Sequence, residues 1–134
     1  MLGMFGKNHL QKLYINNNLI NDKMMDVLLA GLRKNPYVDS IEIANNEVKD
    51  LGMAQLSQFF EDGRKQIKTL KLSGTKSDLD NVEKLFSSLS KYEHLIELKL
   101  QNFKISEGSA KLFAIAINNN MSLEKLDIGW NTML

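Results

Sequence analysis

Residues 95–105 read LIELKLQNFKI. Leu95, Leu98 and Leu100 take the first, fourth and sixth places, with Glu97 and Lys99 between them. Leu98 and Leu100 are two apart, so in an extended chain they share one side while Glu97 and Lys99 share the other. The pattern recurs as LQKLYINNNLI from Leu10, VDSIEIANNEV from Val38, IKTLKLSGTKS from Ile67 and LEKLDIGWNTM from Leu123. The starts are separated by 28, 29, 28 and 28 residues. The three key places hold Leu10/Leu13/Ile15, Val38/Ile41/Ile43, Ile67/Leu70/Leu72, Leu95/Leu98/Leu100 and Leu123/Leu126/Ile128. Every one is Leu, Ile or Val, which marks an internal repeat. One such unit cannot bury its apolar side alone, so the units must stack their strands in parallel around a shared core.

Eight residues after each start stand Asn18, Asn46, Thr75, Phe103 and Asn131. An Asn side chain can satisfy loop backbone groups. Phe103 cannot, so an altered turn is expected in the fourth unit. Ile20, Val48 and Ile105 continue the apolar side two places further on, and Ser77 interrupts it in the third unit.

The second half of each unit changes period. Leu28, Leu29 and Leu32 recur as Leu56 and Phe60, as Leu85, Phe86 and Leu89, and as Phe113, Ala114 and Ile117. Spacings of three and four residues predict amphipathic helices near 22–34, 49–62, 78–90 and 107–118. Asn21, Ser77 and Ser106 are suitable N-caps, followed by the acidic Asp22, Asp78, Asp80 and Glu107. Arg33, Lys34 and Lys91 fall at the expected C-terminal ends, and Asn35-Pro36 stops the first helix.

Units of this length with a full helix, and small residues (Gly52, Ala54, Gly108, Ala110) where helices begin, resemble the ribonuclease-inhibitor-like subfamily of leucine-rich repeats. The segments LGMAQLSQFF and SEGSAKLFAIAI are most similar to it, and the resemblance covers about residues 10–134. It implies an α/β leucine-rich repeat solenoid, a horseshoe segment with parallel strands on the concave face and helices on the convex face. On this reading residues 1–134 form a single domain of about four and a half repeats, starting near 10, 38, 67, 95 and 123. Nine residues precede Leu10, and the last unit stops after its strand. Terminal repeats normally carry polar caps, so a fragment of a longer array is expected, or oligomerisation through uncapped ends.

Composition narrows the function classes. Net charge is +1, without a basic stripe, so no nucleic-acid partner is expected. Cysteine is absent, which excludes a disulfide framework, a thiolate metal site and a catalytic cysteine, and fits a cytoplasmic location. No apolar run reaches the roughly 20 residues of a membrane span, and Met1–Lys7 lacks signal-peptide character. The sequon Asn120-Met121-Ser122 reads as chance in an Asn-rich chain. His9 and His94 lie about three repeats apart, and no metal-binding, phosphate-loop or nucleophile-turn motif occurs. The seven methionines, Met24, Met25 and Met53 among them, read as core filling. No enzyme activity, cofactor or metal is expected.

The expected function is a protein–protein interaction or scaffolding module whose partner sits mainly on the concave face. Polar places on the strands form two columns: Lys12, Ser40, Thr69, Glu97, Lys125, and Tyr14, Glu42, Lys71, Lys99, Asp127. Glu42 beside Lys71 and Lys99 beside Asp127 could also simply compensate each other. Trp130 stands where the other units have Asn17, Asn45, Gly74 and Asn102, a place for an interface anchor or for packing against a further repeat. The candidate partner-binding residues are thus Lys12, Tyr14, Glu42, Lys71, Glu97, Lys99, Lys125, Asp127 and Trp130. The alternatives are a regulator of a small GTPase, or a structural or sensing segment of a larger protein. The only arginines, Arg33 and Arg64, sit at expected helix ends, which argues against an arginine finger.

Overall fold

Each apolar triplet forms a strand and each period-3.6 segment a helix. The structure, a computed structural model, describes residues 9–63, 66–73 and 78–133. In chain order the elements are β1 (Lys12–Tyr14), α1 (Asp22–Lys34), β2 (Ser40–Ala44), α2 (Asp50–Glu61), β3 (Thr69–Ser73), α3 (Leu79–Lys91), β4 (Glu97–Gln101), β5 (Lys104–Ile105), α4 (Glu107–Asn119), β6 (Lys125–Asp127) and β7 (Thr132–Met133). Among the described residues, β1, β2, β3, β4 and β6 make one parallel sheet in sequence order, with a helix in each crossover. β5 and β7 form a second, two-stranded parallel sheet.

The strand registers match equivalent places of successive units. Leu13 lies opposite Ile41, Ile41 opposite Leu70, Leu70 opposite Leu98, and Leu98 opposite Leu126. The apolar strand side chains pack with the helices into one core; Ile41, Leu70 and Leu98 in the inner strands are buried. Leu10 and Leu126, in the outermost described units, are exposed.

The helices end within a residue of their expected places. Asn21 and Ser106 cap α1 and α4 with their side chains. The cap of α3 is Asp78, whose carboxylate accepts from the Asn81 N–H, and Ser77 lies outside the described residues. The first-turn acids act on the following unit as well: Asp22 accepts from the Lys49 N–H at 2.6 Å and Asp50 from the Asp78 N–H at 2.7 Å. Lys49 has no side-chain bond with which to cap α2, and its own N–H is held by the carboxylate of the preceding helix.

Side chains close both sets of loops, generally from the following unit. Buried Asn46 donates through Nδ2 to the Ile15 carbonyl at 2.7 Å, and its Oδ1 accepts from the Asn18 and Ile20 N–H groups at 3.1 and 3.2 Å. Asn131 repeats the arrangement, donating to the Leu100 carbonyl at 2.8 Å and accepting from the Phe103 N–H at 2.8 Å. Phe103 therefore does not alter its own turn: the closing amide comes from the next unit, and Asn102 keeps the left-handed backbone of Asn17 and Asn45. The Phe103 side chain goes into the core. At the helix-to-strand loops, Gln66 Nε2 donates to the Asn35 and Val38 carbonyls, each at 3.0 Å.

Tyr92, near the end of the third unit, holds the first residue of that same unit. Its hydroxyl accepts from the Ile67 N–H at 2.8 Å and donates to the Ile67 carbonyl at 2.9 Å. Burial pushes this hydroxyl up to about 12, against the opposing pull of the Ile67 backbone bond. Tyr92→Phe would leave both Ile67 groups unpaired and should cost about 1–3 kcal/mol in chemical denaturation. In the folded chain the neutral phenol is favoured. Its contribution is therefore full below the unfolded value of about 10 and is lost as pH rises through 12. Wild type should lose stability over that window more steeply than Tyr92→Phe; parallel profiles would exclude this role.

Met25 and Met53 are core residues as expected, whereas Met24 is half exposed. Ala114 and Ile117 also face solvent, because no helix follows α4 among the described residues.

Candidate functional site

Alternation along the strands sends Lys12, Tyr14, Glu42, Lys71, Glu97, Lys99, Lys125 and Asp127 to the sheet face away from the helices. Parallel register turns them into columns. Lys12, Ser40, Thr69, Glu97 and Lys125 are successive partners, as are Tyr14, Glu42, Lys71, Lys99 and Asp127. Neighbours in a column lie about 5 Å apart.

Register therefore puts Lys71 directly opposite Lys99, a like-charge pair. Each lysine is relieved by a carboxylate on the next strand: Lys71 Nζ lies 3.2 Å from Glu97 and Lys99 Nζ 3.3 Å from Asp127. The expected Glu42–Lys71 compensation is thus replaced by a diagonal bond to Glu97. Glu42 instead accepts from Asn16 Nδ2 at 2.9 Å. These ion pairs are 30–48% exposed, so each adds little stability, roughly 0–1 kcal/mol. They bring four charged side chains together on an accessible face. The Gly129 N–H at 2.9 Å, with the Lys99 ammonium second, holds the Asp127 carboxyl below its ordinary value.

The face carries two shallow depressions. One, of about 410 Å³, touches Lys12, Tyr14, Lys71, Glu97 and Lys125. The other, of about 250 Å³, touches Glu42, Lys71, Lys99 and Gln101. A larger one, of about 520 Å³, lies away from the columns, beside Phe60, Tyr92 and His94. The two histidines do not meet: His9 packs on Tyr37 and His94 on Tyr92. Among the described residues no group of three or more His, Asp or Glu is arranged to hold a metal ion.

Trp130 stands at the end of the row of turns that follows the strands. Asn17, Asn45 and Asn102 adopt φ values of 56°, 52° and 61°, and Trp130 adopts 60°. Asn tolerates this left-handed backbone, while a bulky side chain gives up about 1–2 kcal/mol there. The turn holds Trp130 in place by its carbonyl, which accepts from the Asn102 N–H at 3.1 Å. Its side chain remains 84% exposed. Sequence reasoning found the residue but not its backbone, which only the aligned Asn places hinted at. It also missed the amide row, in which Asn45 Nδ2 donates to Asn17 Oδ1 at 2.9 Å.

No helix among the described residues is long and apolar enough to cross a membrane. No family model matches the chain. Over 120 residues the chain is 26% identical to the NACHT, LRR and PYD domains-containing protein 4C of Mus musculus, which covers 89% of this chain. The chain spans only 12% of the length of that relative. The likeness and the parallel α/β architecture together support a chain that is leucine-rich-repeat-like.

Proposed function

We propose that this chain is a protein-interaction segment of a ribonuclease-inhibitor-like leucine-rich repeat solenoid, with the strands on its concave face and no turnover of its own. The observation that carries the reading is the strand face itself. Two columns of polar side chains run in register across five strands, beside a row of turns that ends in an exposed Trp130. The columns present both signs of charge, Lys71 and Lys99 beside Glu97 and Asp127, to a polar partner surface. An exposed tryptophan supplies a large contact area, as interface anchors do. The distant likeness to a leucine-rich-repeat-containing protein supports the same reading.

The test compares partners captured from the native cell by three chains: wild type, Lys71→Glu/Lys99→Glu, and a control reversal on the helix side, Lys84→Glu/Lys91→Glu. A specific partner retained by wild type and the control, and weakened at least tenfold by the strand variant, is the expected result. Equal retention by all three would move binding off the strand face. Loss with the control alone would put it on the helices.

A further inference from the structure

The column Lys12, Ser40, Thr69, Glu97, Lys125 is uneven. Its two short members, Ser40 and Thr69, stand directly opposite each other on β2 and β3, about 5 Å apart. The longer Lys12 and Glu97 flank them on either side. The strand face sinks between these long side chains, and both hydroxyl residues line the depression of about 410 Å³.

Ser40 is 6% exposed. Neither its hydroxyl nor that of Thr69 makes a hydrogen bond among the described residues. The other buried serines are bonded: Ser57 donates to the Met53 carbonyl at 2.9 Å, Ser88 to the Lys84 carbonyl at 2.9 Å, and Ser109 shares a bond with Ser106 at 3.0 Å. A buried polar group without a partner calls for an explanation. The Ser40 hydroxyl is not sealed off from solvent, and the opening it meets is this depression.

Charge in the lining is unequal. Lys12, Lys68, Lys71 and Lys125 stand against Asp39, Glu97 and Glu124, four positive charges against three negative. Lys71 is engaged with Glu97. Lys68, immediately before β3, has no ion pair among the described residues.

We propose that the partner seats one acidic side chain in this depression, an inference that rests on the strand face being the binding surface. Its carboxylate accepts from the Ser40 and Thr69 hydroxyls, and its single charge balances the excess of the lining. A phosphorylated side chain brings up to two negative charges beside Glu97 and Asp39. A basic side chain adds to the excess.

The experiment is an NMR titration of the amide signals of the whole chain with a capped glutamate decapeptide, beside glutamine and phosphoserine decapeptides. The glutamate peptide should shift signals centred on Ser40, Thr69 and Lys68, and the glutamine peptide should leave them unmoved. Ser40→Ala/Thr69→Val keeps every charge and removes the two hydroxyls. It should bind the glutamate peptide about tenfold more weakly, and it should melt as wild type does because no bond within the chain is lost. Equal affinity in that variant, shifts spread over the lysines of the helices, no shift at millimolar peptide, or tighter binding of the phosphoserine peptide would each overturn the proposal. A captured partner lost by Lys71→Glu/Lys99→Glu but kept by Ser40→Ala/Thr69→Val would overturn it too, and would leave the strand-face reading standing.

Discussion

Leu98→Asp is expected to abolish the cooperative melting transition of the whole chain. Leu98 is 3% exposed and sits between Leu70 and Leu126 in the sheet. Removing the leucine alone should cost about 2–5 kcal/mol. The carboxyl put in its place finds no partner in an apolar core and adds several kcal/mol, whether as buried charge or as forced protonation. The sum is of the order of the total stability of a domain this size, about 5–15 kcal/mol. Lys99→Ser, one residue on and on the opposite face, should stay within about 1 kcal/mol of wild type. Circular dichroism melts of the two variants check this. A near-wild-type transition in Leu98→Asp would mean that the strand register is wrong.

Asn46→Ala carries the second-largest effect, about 3 kcal/mol. One buried amide satisfies the Ile15 carbonyl and the Asn18 and Ile20 N–H groups, and each orphaned group costs about 1 kcal/mol or more. The neighbouring Asn18→Ala is the contrast. Asn18 is exposed, and its side chain makes one bond, to its own turn at the Asn16 carbonyl. Its loss should shift stability by less than about 0.5 kcal/mol. Urea titration of both variants separates them, and equal midpoints would show that the Asn46 amide does not close the turn.

The strands were legible because a single demand, burial of one side of a short extended segment, acts on the same three places in every unit. The helices were legible for the same reason, at a different period. Less legible were features that depend on how one unit meets the next. The Asn46 amide closes the turn of the unit before it, so the consequence of Phe103 could not be read from Phe103's own turn. Lys71 could be placed beside Glu42 by register, but only side-chain reach decides that it bonds Glu97 on the other strand. In the same way Ala114 and Ile117 carry the apolar pattern of a buried stripe, and whether they are buried depends on a neighbour the pattern does not contain.

The loop closures also have a direction in time. Asn46 completes the turn at residues 15–20, Gln66 the loop at residues 35–38, and Asn131 the turn at residues 100–103. In each case the later residue serves the earlier loop. On a ribosome, these three loops must therefore wait for most of the next unit to emerge, a delay on the order of a few seconds at about 5–20 residues per second. At these loops ordering trails synthesis by one unit, and each stays open to water until the side chain that closes it has been made.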